Sequence, residues 1–75
     1  MGKLRRTTGK ALVRFLRRQG FALRRITGSH HIMGKGEKHT SVPVHGNDTL
    51  KLGTLTGILS DIEMSNEEFE RLWNT

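Results

Sequence analysis

The apolar residues Ala11, Leu12, Phe15 and Leu16 recur at a helical period, and Arg14, Arg17 and Arg18 fall on the opposite side of the same wheel. Thr7 or Thr8 is placed to cap the start of this helix, which runs to about Gln19, and Gly20 stands where a helix C-terminal glycine belongs. Beyond Gly20 the period shortens to two. Phe21 to Ile26 predicts a strand with Phe21 and Leu23 on one face, Thr27-Gly28-Ser29 a turn, and His30 to Met33 a second strand. Gly34 to Lys38 follows as a polar hairpin loop. In a third strand, Thr40 to Val44, Val42 and Val44 alternate with Ser41 and Pro43; proline has no N–H for the ladder, so this strand is expected at an edge or leaving the sheet.

After a loop at Gly46–Thr49 the helical period returns, with Leu52, Leu55, Ile58, Leu59 and Ile62 at spacings of three and four. Gly53 and Gly57 interrupt it at a cost of about 1 kcal/mol each against alanine, which predicts close packing on the sheet or a helix start near Gly53. Ser65-Asn66-Glu67-Glu68 matches a capping box, and Phe69, Leu72 and Trp73 give a short last helix its apolar side. The order helix, three strands, helix, short helix predicts an α+β sandwich, a three-stranded antiparallel sheet with helices on one face. Its other face is left for water or a ligand.

Length and composition narrow this further. Seventy-five residues make a single domain (1–75), with polar, basic residues 1–7 expected to fray. The chain has no cysteine, which removes disulfides, thiolate metal sites and thiol nucleophiles and fits a reducing cytoplasm. No apolar run is long enough to span a membrane, and the Ala11–Phe15 run is too short for a signal peptide and is closed by Arg17 and Arg18. A cytoplasmic protein is therefore expected.

Charge is the strongest functional cue. Residues 1–45 carry eleven Lys and Arg against Glu37 alone, whereas residues 46–75 carry Lys51 and Arg71 against six carboxylates. A basic N-terminal part of this kind is the footprint of a polyanion partner, and the first helix lacks the broad Trp/Phe face that would favour a membrane surface. The Arg14, Arg17 and Arg18 face suits RNA or an acidic protein held without sequence selection. Strand aromatics for base stacking are nearly absent, which argues against a single-strand stacking platform.

Candidate chemistry gathers at Gly28-Ser29-His30-His31, just after Arg24 and Arg25. Imidazole moves protons near neutral pH, and guanidinium holds phosphate. Together they fit RNA cleavage, in which a histidine takes the 2′-hydroxyl proton, that oxygen attacks the adjacent phosphorus, and a cationic side chain offsets the charge on the phosphoryl oxygens. DNA lacks the hydroxyl, and carboxylates for a metal-dependent nuclease are scarce here. Adjacent strand residues point to opposite faces, so only one of His30 and His31 can face a substrate. Alternation does not choose between them, because Ile32 travels with one and Met33 with the other. His45, on the Ser41–Pro43 side of the third strand, is open to two readings, a proton donor to the departing 5′-oxygen or a solvated loop histidine. Lys51 is a phosphate contact in the same sense. The spacing of His30, His31, His39 and His45 matches no compact zinc pattern, and Ser29 has no acid–base partner that would make it a nucleophile. The expected site therefore requires neither metal nor cofactor.

These residues resemble the HicA toxins of bacterial and archaeal toxin–antitoxin pairs. The likeness covers about residues 8–72: Gln19-Gly20-Phe21, then Arg24 to His31, Val42-Pro43-Val44-His45, Lys51-Leu52-Gly53-Thr54-Leu55, Ile58-Leu59 and a Glu-Glu-Phe near the end. It implies a double-stranded-RNA-binding-domain-like αβββα fold and a metal-independent endoribonuclease, an mRNA interferase that arrests growth. It also implies a HicB antitoxin, often acidic, that covers the active face and represses the operon. Carried over, the family's catalytic histidine falls on His30, or on His31 if placed one position later; Arg24, Arg25, Ser29, Lys51 and His45 would contact RNA. Met33 stands where the family often has an aromatic residue. A non-catalytic RNA-binding module of the same fold is the alternative.

Overall fold

A computed structural model describes residues 4–74. Helix α1 (Gly9–Arg18) leads into strands β1 (Ala22–Thr27), β2 (His30–Lys35) and β3 (Lys38–Pro43), followed by helices α2 (Leu52–Asp61) and α3 (Asn66–Trp73). The strands form one antiparallel sheet in the order β1-β2-β3, so β2 is central and Pro43 ends an edge strand. The result is the α+β architecture that the periodicities predict.

Local chemistry sets the element ends. Thr8 is the N-cap of α1, its Oγ1 accepting from the Ala11 N–H at 3.1 Å. The helix closes in a Schellman motif, Phe21 N–H donating to Leu16 O and Gly20 N–H to Arg17 O. Ser65 caps α3 by accepting from the Glu68 N–H.

Both hairpins are tighter than the composition suggests. Thr27 pairs with His30 and Lys35 with Lys38, leaving the two-residue loops Gly28-Ser29 and Gly36-Glu37. Each loop opens on a glycine with positive φ (+59° and +63°), as a type II′ turn requires at its first position. The expected five-residue loop at 34–38 is thus corrected: Gly34 and Lys35 belong to β2, and Lys38 and His39 to β3.

The core lies between the sheet and the helices. Leu12, Phe15 and Leu16 of α1 and Leu55, Ile58 and Leu59 of α2 meet Met33 and Val42 of the sheet, all essentially inaccessible. Helix α3 docks through aromatic contacts, the Phe15 and Phe69 rings 5.1 Å apart edge to face and Trp73 5.2 Å from Phe15. Gly9 permits the closest approach: a Cβ there would overlap Pro43 O, so a side-chain-free first residue lets α1 start on the end of β3.

Two expectations need correction. Residues 1–3 lie outside the described part, but Leu4 to Thr7, grouped with them as frayed, are held. Arg5 pairs with Glu70 (Nη2–Oε1 3.0 Å), Thr7 is buried and its carbonyl accepts from Leu50 N–H, and Leu4 packs on the core. Of the two readings of Gly53 and Gly57, the helix start near Gly53 is the one that forms, since α2 begins at Leu52 and holds Gly53 in its first turn, while close packing on the sheet does not. Both are exposed, and a Cβ at either would meet open space.

Candidate nucleic-acid interface

The register of β2 separates the two histidines. His31 lies opposite Val42, which is fully buried, and shares its side with Met33, so it faces the helix layer. His31 is half-buried, and its Nδ1 is sealed from solvent with no hydrogen-bond partner. His30, one residue earlier, lies opposite Pro43 and Thr27 on the uncovered face and is exposed.

Strict alternation would send Arg24 and Arg25 to opposite faces. A bulge prevents this. Leu23 pairs with Met33 and Arg25 with Ile32, so Arg24 has no partner in β2 and the parity of β1 shifts at that point. Arg25 therefore sits on the open face, one rung from the Thr27–His30–Pro43 row. The Arg24 guanidinium also lies on this face, directly over Gly34, where a Cβ would displace it, and its Nη2 donates to Gly36 O at 3.0 Å. His39, opposite Gly34, is exposed on the same side. Among the described residues, the open face thus collects two guanidiniums and two imidazoles and no carboxylate.

At the His30 end the sheet runs into a cleft. Val44 N–H donates to Ser29 O at 2.7 Å, which extends the β2–β3 ladder past Pro43 and sets His45 beside the Gly28-Ser29 turn. There Ser29 Oγ and His45 Nε2 stand 3.1 Å apart, in hydrogen-bond contact. Pro43, His45, Asp48, Lys51 and Thr54 line an open cleft of about 290 Å³. Because Pro43 is also the cross-strand partner of His30, the cleft begins where the open face ends. Lys51 is exposed and occupies the N-cap position of α2.

The structure thus places His30, Arg25 and Arg24 on the open sheet face, sets Ser29 and His45 in contact at its His30 end with Lys51 in the adjoining cleft, and turns His31 away. Arg14, Arg17 and Arg18 are exposed on α1, in the helix layer on the other side of the sheet. Sequence reasoning missed two contributors. His39 was read only as a possible metal ligand, and Gly34 only as a loop residue, whereas its missing side chain makes room for Arg24. The bulge has no signature that the residue pattern could have revealed.

An exposed imidazole one rung from a guanidinium can hold an anionic group and move a proton on it. Among the described residues, no three His, Asp or Glu side chains are grouped to hold a metal ion, and no helix is long and apolar enough to cross a membrane. The arrangement is that of a small α+β domain with a cationic, histidine-bearing open sheet face. The chain belongs to the HicA toxin family of bacterial toxin–antitoxin systems, whose family model matches residues 9–64 of the 75. Membership carries a toxin role and implies an antitoxin partner. Comparison with curated proteins gave no match. The flanks outside the matched segment meet each other, since Arg5 and Glu70 form the ion pair described above.

Proposed function

We propose that this HicA-family chain is a metal-independent endoribonuclease that cleaves messenger RNA, with His30 as the base that takes the 2′-hydroxyl proton. The observation that carries the reading is the exposure of His30 on the open face, with Arg24 and Arg25 delivered to the same side by the β1 bulge. Arg25, one rung from His30, holds the phosphate and offsets the charge that grows on its oxygens, and Arg24, farther along the face over Gly34, contacts the RNA backbone there. Ser29, His45 and Lys51 add contacts to the RNA at the His30 end of the sheet. His30 is favoured over His31 because a nucleotide can reach only the uncovered side of β2. The donor set supports metal independence, since the open sheet face offers guanidiniums where a metal-dependent nuclease needs carboxylates.

The partner is a HicB-like antitoxin, and the setting is the cytoplasm, where the messenger is. Incubating the purified protein with a labelled transcript in EDTA tests the activity. Discrete cleavage that survives the chelator is the expected result. Salt-sensitive binding without cleavage would instead establish a non-catalytic RNA-binding module.

A further inference from the structure

We infer that His45 is the second catalytic group of this site, the acid that protonates the departing 5′-oxygen, and that Ser29 is the residue that positions it. The inference rests on the ribonuclease reading and adds a residue and a step to it. Three observations converge. The Val44 N–H to Ser29 O bond brings the chain after β3 back against the turn that precedes His30, so both imidazoles flank Ser29, one by sequence and one by contact. His45 is exposed, and its ring nitrogen Nε2 is in contact with Ser29 Oγ at 3.1 Å. Pro43, opposite His30, also lines the cleft that holds His45 and Lys51, so the cleft adjoins the rung that carries His30.

In the imidazolium form both ring nitrogens are donors. Nε2–H then donates to Ser29 Oγ, which fixes the ring and leaves Nδ1–H for the substrate. The step balances. His30 accepts the 2′-hydroxyl proton, and the O2′–P bond forms as the P–O5′ bond breaks. His45 gives its proton to O5′, yielding a 2′,3′-cyclic phosphate and a 5′-hydroxyl. A lone base would leave O5′ to depart as an alkoxide. Lys51, at the cleft wall, is placed to hold the phosphate on the 3′ side of the break.

The test compares two RNAs, one ordinary and one with the 5′-oxygen at the mapped scissile position replaced by sulfur, whose thiolate leaves without a proton. On ordinary RNA, His45→Ala is expected to slow cleavage by about 10²- to 10⁴-fold. On the sulfur-substituted RNA it stays within about tenfold of the unaltered protein, whereas His30→Ala is slow on both. Ser29→Ala follows His45→Ala in kind, with a loss of roughly tenfold or less on ordinary RNA and none on the sulfur substrate. Equal loss by His45→Ala on both substrates, or no loss on ordinary RNA, overturns the assignment and leaves His45 a binding or solvated residue. Failure of the unaltered protein to cleave either RNA is a separate outcome that overturns the ribonuclease reading itself. His45 is exposed, and an unchanged thermal unfolding curve for His45→Ala verifies that any loss is chemical.

Discussion

His30 and His31 are adjacent residues of one type on one strand, and the fold gives them opposite surroundings. On the open face, His30 stands exposed one rung from Arg25, on the side of the sheet that also carries Arg24 and His39 farther along. On the helix face, His31 lies beside Val42 and Met33 with one ring nitrogen sealed and unpartnered. Sheet pleating alone produces this division, because the side-chain period is two and a one-residue step exchanges faces. A histidine's chemistry here depends on its parity in β2 more than on its sequence neighbours.

The largest effect should come from exchanging the two faces by mutation. His30→Ala is expected to lower RNA cleavage by about 10²- to 10⁴-fold with the fold intact, while His31→Ala retains cleavage at any temperature where it is folded. Single-turnover assays alongside circular dichroism measure both. Loss in His31→Ala with full activity in His30→Ala would reverse the assignment of the two faces.

Next in size is a change on the helix side that reaches the open face. Gly9→Ala drives a methyl into Pro43 O, so α1 must lift from the end of β3. A loss of about 1–3 kcal/mol in denaturant unfolding is expected, as for other overpacked sites. Since Pro43 is the partner of His30, cleavage should fall too.

Gly34→Ala makes the complementary test within the open face. Its methyl displaces the Arg24 guanidinium, which is the far end of a flexible side chain, so stability should hardly move. RNA affinity should weaken, and the slope of log affinity against log salt should shrink by about one contact. An unchanged slope would show that Arg24 does not touch RNA.

His31→Leu removes the orphaned nitrogen from the helix face. Stability is expected to hold or to rise by about 1 kcal/mol by denaturant titration, because an unsatisfied buried polar atom disappears. A clear loss would mean that His31 has a polar role that its surroundings do not reveal.

The smallest effect lies farthest from the site. Hydrogen bonds from the Arg5 side chain hold the Glu70 carboxyl below its usual 4.5. Its contribution is therefore complete above that usual value and is lost as pH falls through the lowered one. Glu70→Gln should flatten this acid-side decline in stability and leave cleavage untouched. Because the pair is only half-buried and solvent still screens it, the change will be small.

Much of the fold was legible because its periods are clean. The α1 stripe, the Val42/Val44 alternation and the Ser65 cap each point to the element that forms. The face of β2 was not, and the reason is register. Val42 identifies the inner side of β3, but which β2 residue lies opposite it depends on the hairpin length. A loop read as 34–38 left that open, whereas the two-residue Gly36-Glu37 turn fixes it. Ile32 and Met33, both apolar, offered no second vote. The bulge at Arg24 escaped for a related reason, since an inserted residue changes parity without requiring a residue type. For Gly53 and Gly57 the pattern left close approach and a helix start near Gly53 open, and the start at Leu52 forms while both glycines face open space. The joining of Ser29 to His45 is a tertiary contact between positions 16 residues apart, set by the sheet ladder and beyond the reach of local pattern.

The central claim is that the open face activates a ribose 2′-hydroxyl, and the ends of the products test it most directly. Mass spectrometry of transcript fragments generated in EDTA should find 2′,3′-cyclic phosphates, or the 3′-phosphates they hydrolyse to, facing 5′-hydroxyls. Fragments ending in 3′-hydroxyl and 5′-phosphate would show that water or a metal-bound hydroxide attacked instead, and would contradict the role given to His30.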